Sequence, residues 1–405
     1  MGRALAATTL VTPLGPGPLR GPGAAEVLEL RPGAVAWDAS GTITYVGPPE
    51  GLPAEDPEWF EGCTISPGFV DCHTHLPFVG WRADEFEARL AGTTYRDQAG
   101  GGGIRRSARL LAEASDEEVL AFSRPLLAEM LAHGTTALEL KTGYGGSVQG
   151  ELRQARLARR LAAEAPQACR VTLLAAHAVP EGMTREDWVR AACEELIPAA
   201  AAEGLADAVD VYVEDIAFSI ADLEAVAAAA ASAGLPLRCH ADQLGPSGAA
   251  EAAAALGARS ADHLNHVSEA GIAALGAGTT AAVLLPTSTM LLRATPPPVD
   301  ALLAAGAVAA LATDCNPGTS AVASMPEAIA VGCALYGLTP NEALLAATAN
   351  AARVLDLDRT HGRLAPGAEA DLLVLEGDGF RHVPYRPGHD PVVRTIVGGE
   401  VVWGR

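Results

Sequence analysis

His73-Thr74-His75 sets two imidazoles two residues apart. If the stretch is extended, both rings leave the same side of the chain, because side chains repeat every two residues along a strand. Two neutral imidazoles on one side suit a single divalent ion. A third histidine and a carboxylate would complete an N3O set that accepts Zn²⁺ or Fe²⁺, and His240 and Asp314 are the natural candidates. An ion so held lowers the pKa of water towards neutrality and makes a nucleophile. Asp314 could contact both ion and water and take the proton. One histidine by itself is more often a satisfied core residue than a ligand. Here His73, His75, His177, His240, His263 and Asp314 all stand where apolar runs end, and core packing alone does not require that.

The elements that must position these residues follow from the alternation of the chain. Apolar runs end near His73, Lys141, His177, Glu214, His240, His263, Leu285 and Asp314. Between them lie Ala/Leu/Glu/Arg-rich segments long enough for crossover helices. Ser115-x-x-Glu118 and Ser219-x-x-Asp222 read as capping boxes, and Thr339-Pro340-Asn341-Glu342 adds proline at a first helical position. Continuously apolar strands are those of a parallel sheet covered on both faces. Eight such units predict an α/β chain with a (β/α)8 TIM-like barrel. An open doubly wound sheet would carry a glycine-rich phosphate loop after its first strand, where Asp71-Cys72-His73-Thr74-His75 stands instead. In a barrel the C-terminal ends of all strands share one rim, so residues 241 positions apart, His73 and Asp314, are expected to meet.

The two ends of the chain differ from its middle. Ala4–Val11, Ala34–Trp37, Thr42–Val46, Ala370–Leu375 and Arg394–Trp403 are β-like, the last with Gly398-Gly399 as a hairpin turn. Neither end could bury much surface alone. The expectation is one small β-sandwich-like domain built from residues 1–66 and 360–405, with the barrel over 67–359.

The chain has 405 residues, 49% of them hydrophobic and 19% charged, which supports a sizeable core and excludes global disorder. Twenty-eight basic against 49 acidic residues give a net charge of −21, which argues against nucleic-acid and anionic-membrane partners. No segment reads as a membrane span. Residues 270–292 are uncharged but interrupted by Gly, Thr, Ser and Pro286, and predict a buried helix and strand. Arg3 and the short apolar stretch to Val11 are too weak for a signal peptide. Seven scattered cysteines without a CxxC pair predict reduced thiols in a cytoplasmic protein. Lys141 is the only lysine among the 28 basic residues, and its survival in so arginine-biased a chain invites a chemical explanation.

The combination of HxH after strand one, histidines ending strands five and six and an aspartate ending strand eight resembles the metal-dependent amidohydrolase superfamily. Local motifs narrow this. Ser66–His75, Arg82-x-x-Glu85-Phe86, Gly101-Gly102-Gly103-Ile104 and Glu139-Leu140-Lys141-Thr142-Gly143-Tyr144-Gly145 look like the imidazolonepropionase family of histidine degradation. So do Ala176-His177-Ala178, His240-Ala241-Asp242-Gln243, Asp262-His263-Leu264, Thr313-Asp314-Cys315-Asn316-Pro317-Gly318-Thr319 and Pro384-Tyr385. HxH alone indicates only the superfamily, whereas Lys-x-Gly-Tyr-Gly and Asp-Cys-Asn-Pro-Gly-Thr are far more specific. The resemblance implies one divalent ion per chain, Zn²⁺ or Fe²⁺, on His73, His75, His240 and Asp314. It implies substrate contacts from Arg82, Tyr95, Tyr144, His177, Gln243, Asn316, Gly318 and Thr319, and proton transfer assisted by His263. The family reaction opens 4-imidazolone-5-propanoate to N-formimidoyl-L-glutamate, a small-molecule reaction, and the family implies a homodimer. Arg82 offers a planar fork for the propionate, and His177 is expected to donate to the oxyanion. The Gly101–Gly103 run fits a turn or a lid better than a phosphate loop. The chain departs from the family at Trp81, Thr142, Asn265-His266 and Thr287-Ser288-Thr289-Met290.

Three rivals remain at this stage. A deaminase of the superfamily would use a carboxylate three residues after the strand-five histidine, and Gln243 stands there; an amide cannot take a proton at neutral pH. A binuclear hydrolase would bridge two ions with a carboxylated lysine, for which Lys141, His177 and His240 come in the right order. A non-catalytic metal-bound sensor would not need a complete water-activating set.

Overall fold

Eight parallel strands form the ring that the spacing predicts. The computed structural model describes residues 3–21, 27–53, 56–98 and 102–405. Strands β1 (Arg3–Pro13), β2 (Val27–Leu30), β3 (Gly33–Trp37), β4 (Ile43–Gly47) and β5 (Glu58–Pro67) come first. The ring follows: β6 (Phe69–Asp71), β7 (Thr135–Lys141), β8 (Ala168–Ala176), β9 (Ala208–Val213), β10 (Leu237–Ala241), β11 (Ser260–His263), β12 (Ala281–Leu284) and β13 (Val308–Leu311). Each of these pairs with its sequence neighbour in parallel. Every residue of β7, β9, β10, β11, β12 and β13 is buried, as strands covered on both faces must be.

The seam between β13 and β6 is closed just beyond the strands. Thr74 and Cys315 form a parallel bridge, and the His75 N–H donates to Cys315 O at 2.8 Å. The Asp71 carboxylate accepts from the Thr313 backbone N–H at 3.0 Å and from its hydroxyl at 2.6 Å. The two segments that carry HxH and Asp314 are thereby locked side by side.

Helix starts follow the sequence signals. Ser115, Ser219 and Thr339 each cap a helix in a full capping box, with Glu118, Asp222 and Glu342 answering. Residues 269–292 form helix Glu269–Ala277, strand β12 and helix Pro286–Leu292. Among the described residues no helix is long and apolar enough to cross a membrane.

The terminal strands, completed by β14 (Leu372–Glu376), β15 (Val392–Val397) and β16 (Glu400–Gly404), build one eight-stranded sheet in the order β16-β15-β14-β5-β1-β3-β4, with β2 on β1. Gly398-Gly399 makes the turn between β15 and β16. Its apolar residues, among them Leu5, Val35, Trp37, Ile65, Leu372 and Ile396, form a core of their own. The strand that joins the two ends is β5, parallel to β1 and antiparallel to β14. Gly101 of the glycine run lies outside the described residues; Gly102 and Gly103 open helix Gly103–Glu113, and the Gly103 N–H donates to Glu85 Oε1 at 3.0 Å.

Candidate active site

The strand ends bring the expected side chains to one place. His73 and His75 follow β6, His240 lies in β10, and Asp314 follows β13; all four are buried. His73 Nε2 is 3.3 Å from His75 Nε2, which is 3.5 Å from His240 Nε2. Asp314 Oδ1 is 3.6 Å from His73 Nε2 and 3.4 Å from His75 Nε2. Ligand atoms at roughly 2.0–2.1 Å around a tetrahedral centre stand about 3.3–3.4 Å apart. His73, His75 and His240 form a group that could hold one small divalent ion, and Asp314 stands against two of the three.

Proton bookkeeping agrees. The Nδ1 atom of His73 faces Asp262 Oδ2 at 2.7 Å, and that of His240 faces Asp210 Oδ1 at 3.1 Å. A carboxylate can only accept, so both rings carry their proton on Nδ1 and turn a bare Nε2 to the centre, as metal-binding histidines do. Burial, with Lys141 and the other rings adding to it, pushes the His73 imidazole well below its ordinary pKa. Burial and the neighbouring His240 do the same to His75. Neutral lone pairs converging without a proton between them fit a divalent cation and little else.

Asp314 and His263 are both held at positive φ, 53° and 78°. Non-glycine residues are rare there, and such strain gathers at functional sites. The Asn316 side chain fixes the Asp314 peptide, donating to Asp314 O at 2.6 Å. Burial raises the Asp314 carboxyl above its ordinary pKa, with His263 acting against it. Burial drops His263 to about 3, so it enters any reaction as a neutral base.

His75, Arg82, Tyr95, Tyr144, His177, His240, Gln243, His263, Asp314, Asn316 and Thr319 line one small cavity, together with Ile104 and Tyr212. Among the described lining residues Arg82 is the one lysine or arginine. Its Nη1 donates to Ser107 Oγ at 3.2 Å, and its Nε lies 3.4 Å from Glu85 Oε2. Asn316 and Thr319 spend their polar atoms on each other. The Asn316 amide donates to Thr319 Oγ1 at 2.7 Å, while its Oδ1 accepts from the backbone N–H of Gly318 and of Thr319. Gly318 is absent from the cavity wall and lies behind Arg82.

The expected polarity of His177 is reversed. Its Nδ1 lies 3.0 Å from Gly143 O, an atom that can only accept. Nδ1 therefore bears the proton, and burial, with His75 and His240 nearby, keeps the ring neutral by pushing its pKa well down. In this tautomer Nε2 is left as an acceptor, and the ring turns no N–H to the cavity.

Lys141 is fully buried, with Nζ 2.6 Å from Asp210 Oδ2 and 2.9 Å from Glu139 Oε2. Asp210, Glu139 and Tyr212 escape a sequence reading because acids and a tyrosine inside apolar strands carry no terminal signal. Two of the departures from the family touch one another: the Asn265 amide donates to Thr289 Oγ1 at 3.0 Å.

Known proteins agree with this architecture. The amidohydrolase family profile matches residues 64–402. An imidazolonepropionase of Rhizorhabdus wittichii is 44% identical over 368 residues, 89% of this chain and 92% of its own. That of Rubrobacter xylanophilus is 43% identical over 399 residues, covering 96% and 95%. Among solved structures, guanine deaminase of E. coli superposes with a TM-score of 0.75 at 18% identity over the whole of both chains. An adenosine deaminase of Xanthomonas campestris with bound zinc gives 0.71 at 18%, over 99% and 92%. These two share the fold. The chain belongs to the amidohydrolase family and, within it, to the imidazolonepropionases.

Proposed function

We infer that the chain hydrolyses the ring amide of 4-imidazolone-5-propanoate, yielding N-formimidoyl-L-glutamate in histidine degradation. The observation that carries this is one small cavity with His75, His240 and Asp314 on its wall, Arg82 as the one lysine or arginine among its described lining residues, and Gln243 where a deaminase would need a carboxylate.

His73, His75, His240 and Asp314 would hold one divalent ion per chain, Zn²⁺ or Fe²⁺. When bound it supplies a water of near-neutral pKa and polarises the carbonyl. Arg82 binds the propionate by a charged fork. His177 Nε2 accepts a ring N–H, and Gln243, with donors and an acceptor, reads the ring edge. Asp314 Oδ takes the water proton and returns it to the ring nitrogen as the C–N bond breaks, with His263 as a second neutral base. Water ends on the carbonyl carbon, the nitrogen keeps its bond to the formimino carbon, and no ammonia leaves. Tyr95, Tyr144, Asn316 and Thr319 shape the cavity, and Gly318 leaves room behind Arg82. The seven cysteines are all unpaired, which supports a reducing compartment such as the cytoplasm; a homodimer rests on the family resemblance.

The test is incubation with freshly made imidazolone propionate. Its ultraviolet absorbance should disappear, with an early product equal in mass to substrate plus one water. Ammonia released in step with a product that is still cyclic would replace this reading with deamination.

A further inference from the structure

Two clusters in the barrel have the makings of a cation site, and they share His240. The first is His73, His75 and His240; the second is Asp210, His240 and Asp262. The second already contains a cation. Lys141 Nζ lies 2.6 Å from Asp210 Oδ2 and 3.8 Å from Asp262 Oδ2, and Glu139 Oε2 anchors it from the side at 2.9 Å. Each of the two aspartates uses a carboxylate oxygen on a metal histidine: Asp210 on His240 Nδ1 and Asp262 on His73 Nδ1. Glu139 is itself fixed by close contacts from Arg238 and the Thr172 hydroxyl. One ammonium thus sits behind both histidine–carboxylate pairs, with all the groups buried.

We propose that the Lys141 ammonium stands in the place of a second metal ion, and that through Asp210 and Asp262 it positions His240 and His73 and keeps the centre mononuclear. The inference rests on the metal-centre reading above. The chemistry explains why the chain's only lysine survives among 27 arginines. A compact ammonium with three donors in diverging directions can face carboxylates on three different strands. A planar guanidinium presents its donors in one plane and needs more room. Nothing in this arrangement requires carboxylation of Lys141: a carbamate would bring a negative charge against Asp210 and Glu139.

The experiment uses the purified metal-loaded protein, with metal counted per chain and release to a chelator followed in time. Wild type should carry one ion, and Lys141 should have unmodified mass in a peptide digest. Lys141→Met should release its ion 10- to 100-fold faster, the range for loss of an outer partner of a metal histidine, and should lower kcat more than it changes KM. Should Lys141→Met not fold, Lys141→Gln carries the same test, since it keeps a donor but loses the charge; release should again quicken. Release at the wild-type rate from the folded variant overturns the proposal. So does a wild type with two ions and a carboxylated Lys141. A wild type with no divalent ion would overturn the metal-centre reading, and this inference with it.

Discussion

The Arg82 guanidinium lies directly across Gly318 and occupies the space that a Cβ at Gly318 would need. The two residues are 236 apart in the chain, and the loop after β13 is tied to the loop after β6 by the Arg82 N–H to Pro317 O bond of 2.9 Å. A side chain at position 318 would displace the end of the Arg82 fork. Arg82→Ala should weaken the propionate-bearing substrate by about 1.5–3 kcal/mol, the worth of a hydrogen bond to a charged group. Gly318→Ala should produce the same rise in KM without touching the substrate, because the methyl pushes the fork aside. An analogue lacking the carboxylate should be indifferent to both changes. Equal loss with both substrates would show that Arg82 serves the loop and that the tail is held elsewhere.

Asp314 is assigned two duties, ligand and proton carrier. Asp314→Asn keeps an oxygen for the ion but cannot accept a proton at neutral pH. Activity should fall by a factor on the order of 10²–10⁴, the usual share of general acid–base catalysis. Chelator-treated wild type should be inactive and should recover with Zn²⁺ or Fe²⁺. An active Asp314→Asn protein would move the proton to His263.

Under the proposed reaction Gln243 serves recognition. Glu214 fixes its backbone, accepting from the Gln243 N–H at 2.6 Å and from the Leu244 N–H at 2.8 Å. Gln243→Glu should keep part of the activity, because no step needs a proton there, and it should still release no ammonia. Complete loss would mean that a negative charge at this wall is not tolerated beside the substrate, and the role given to the amide would stand corrected.

The histidines and Asp314 were legible because a parallel barrel sends every strand end to one rim, so local position in the sequence became position in space. The second layer was not. Asp210, Asp262 and Glu139 lie within strands, where a buried acid leaves no pattern until its partners on other strands are known. Strand β5 escaped for another reason. Its first half is largely exposed, and Gly62 at φ 69° interrupts its alternation. The tautomer of His177 is not written in the sequence, since only Gly143 O indicates which nitrogen bears the proton.

Asp71 offers a test of the seam that is independent of catalysis. Burial lifts its carboxyl to about 7, against the opposing pull of Thr313. In the unfolded chain it titrates near 4. Between these values the unfolded state loses the proton while the folded state keeps it, so this group's contribution is complete below about pH 4 and is lost as pH rises towards 7. The slope is up to about 1.4 kcal/mol per pH unit. Asp71→Asn can still accept from the Thr313 N–H and has no proton to lose. The difference in Tm between variant and wild type should shift in the variant's favour between pH 4.5 and 7.5. A constant difference would mean that Asp71 is ionised in the fold across that range.

His177 can be tested for the polarity assigned to it. With Nδ1–H committed to Gly143 O, Nε2 is the acceptor that faces the cavity, and burial, which lowers the ring's pKa, favours this neutral form. Glutamine reaches about as far as Nε2 and can present an oxygen there; asparagine reaches only as far as Nδ1 and leaves the cavity side without an acceptor. His177→Gln should therefore retain clearly more activity than His177→Asn, with the difference lying in KM if the contact is made equally to substrate and transition state. The pH profile separates the alternatives further. A neutral acceptor contributes no change in rate between pH 6 and 8. A cationic donor would have to gain its proton, so the rate would climb as the pH falls towards 6. A limb of that kind, present in wild type and missing in His177→Gln, would restore the oxyanion role and require the Gly143 contact to break during turnover.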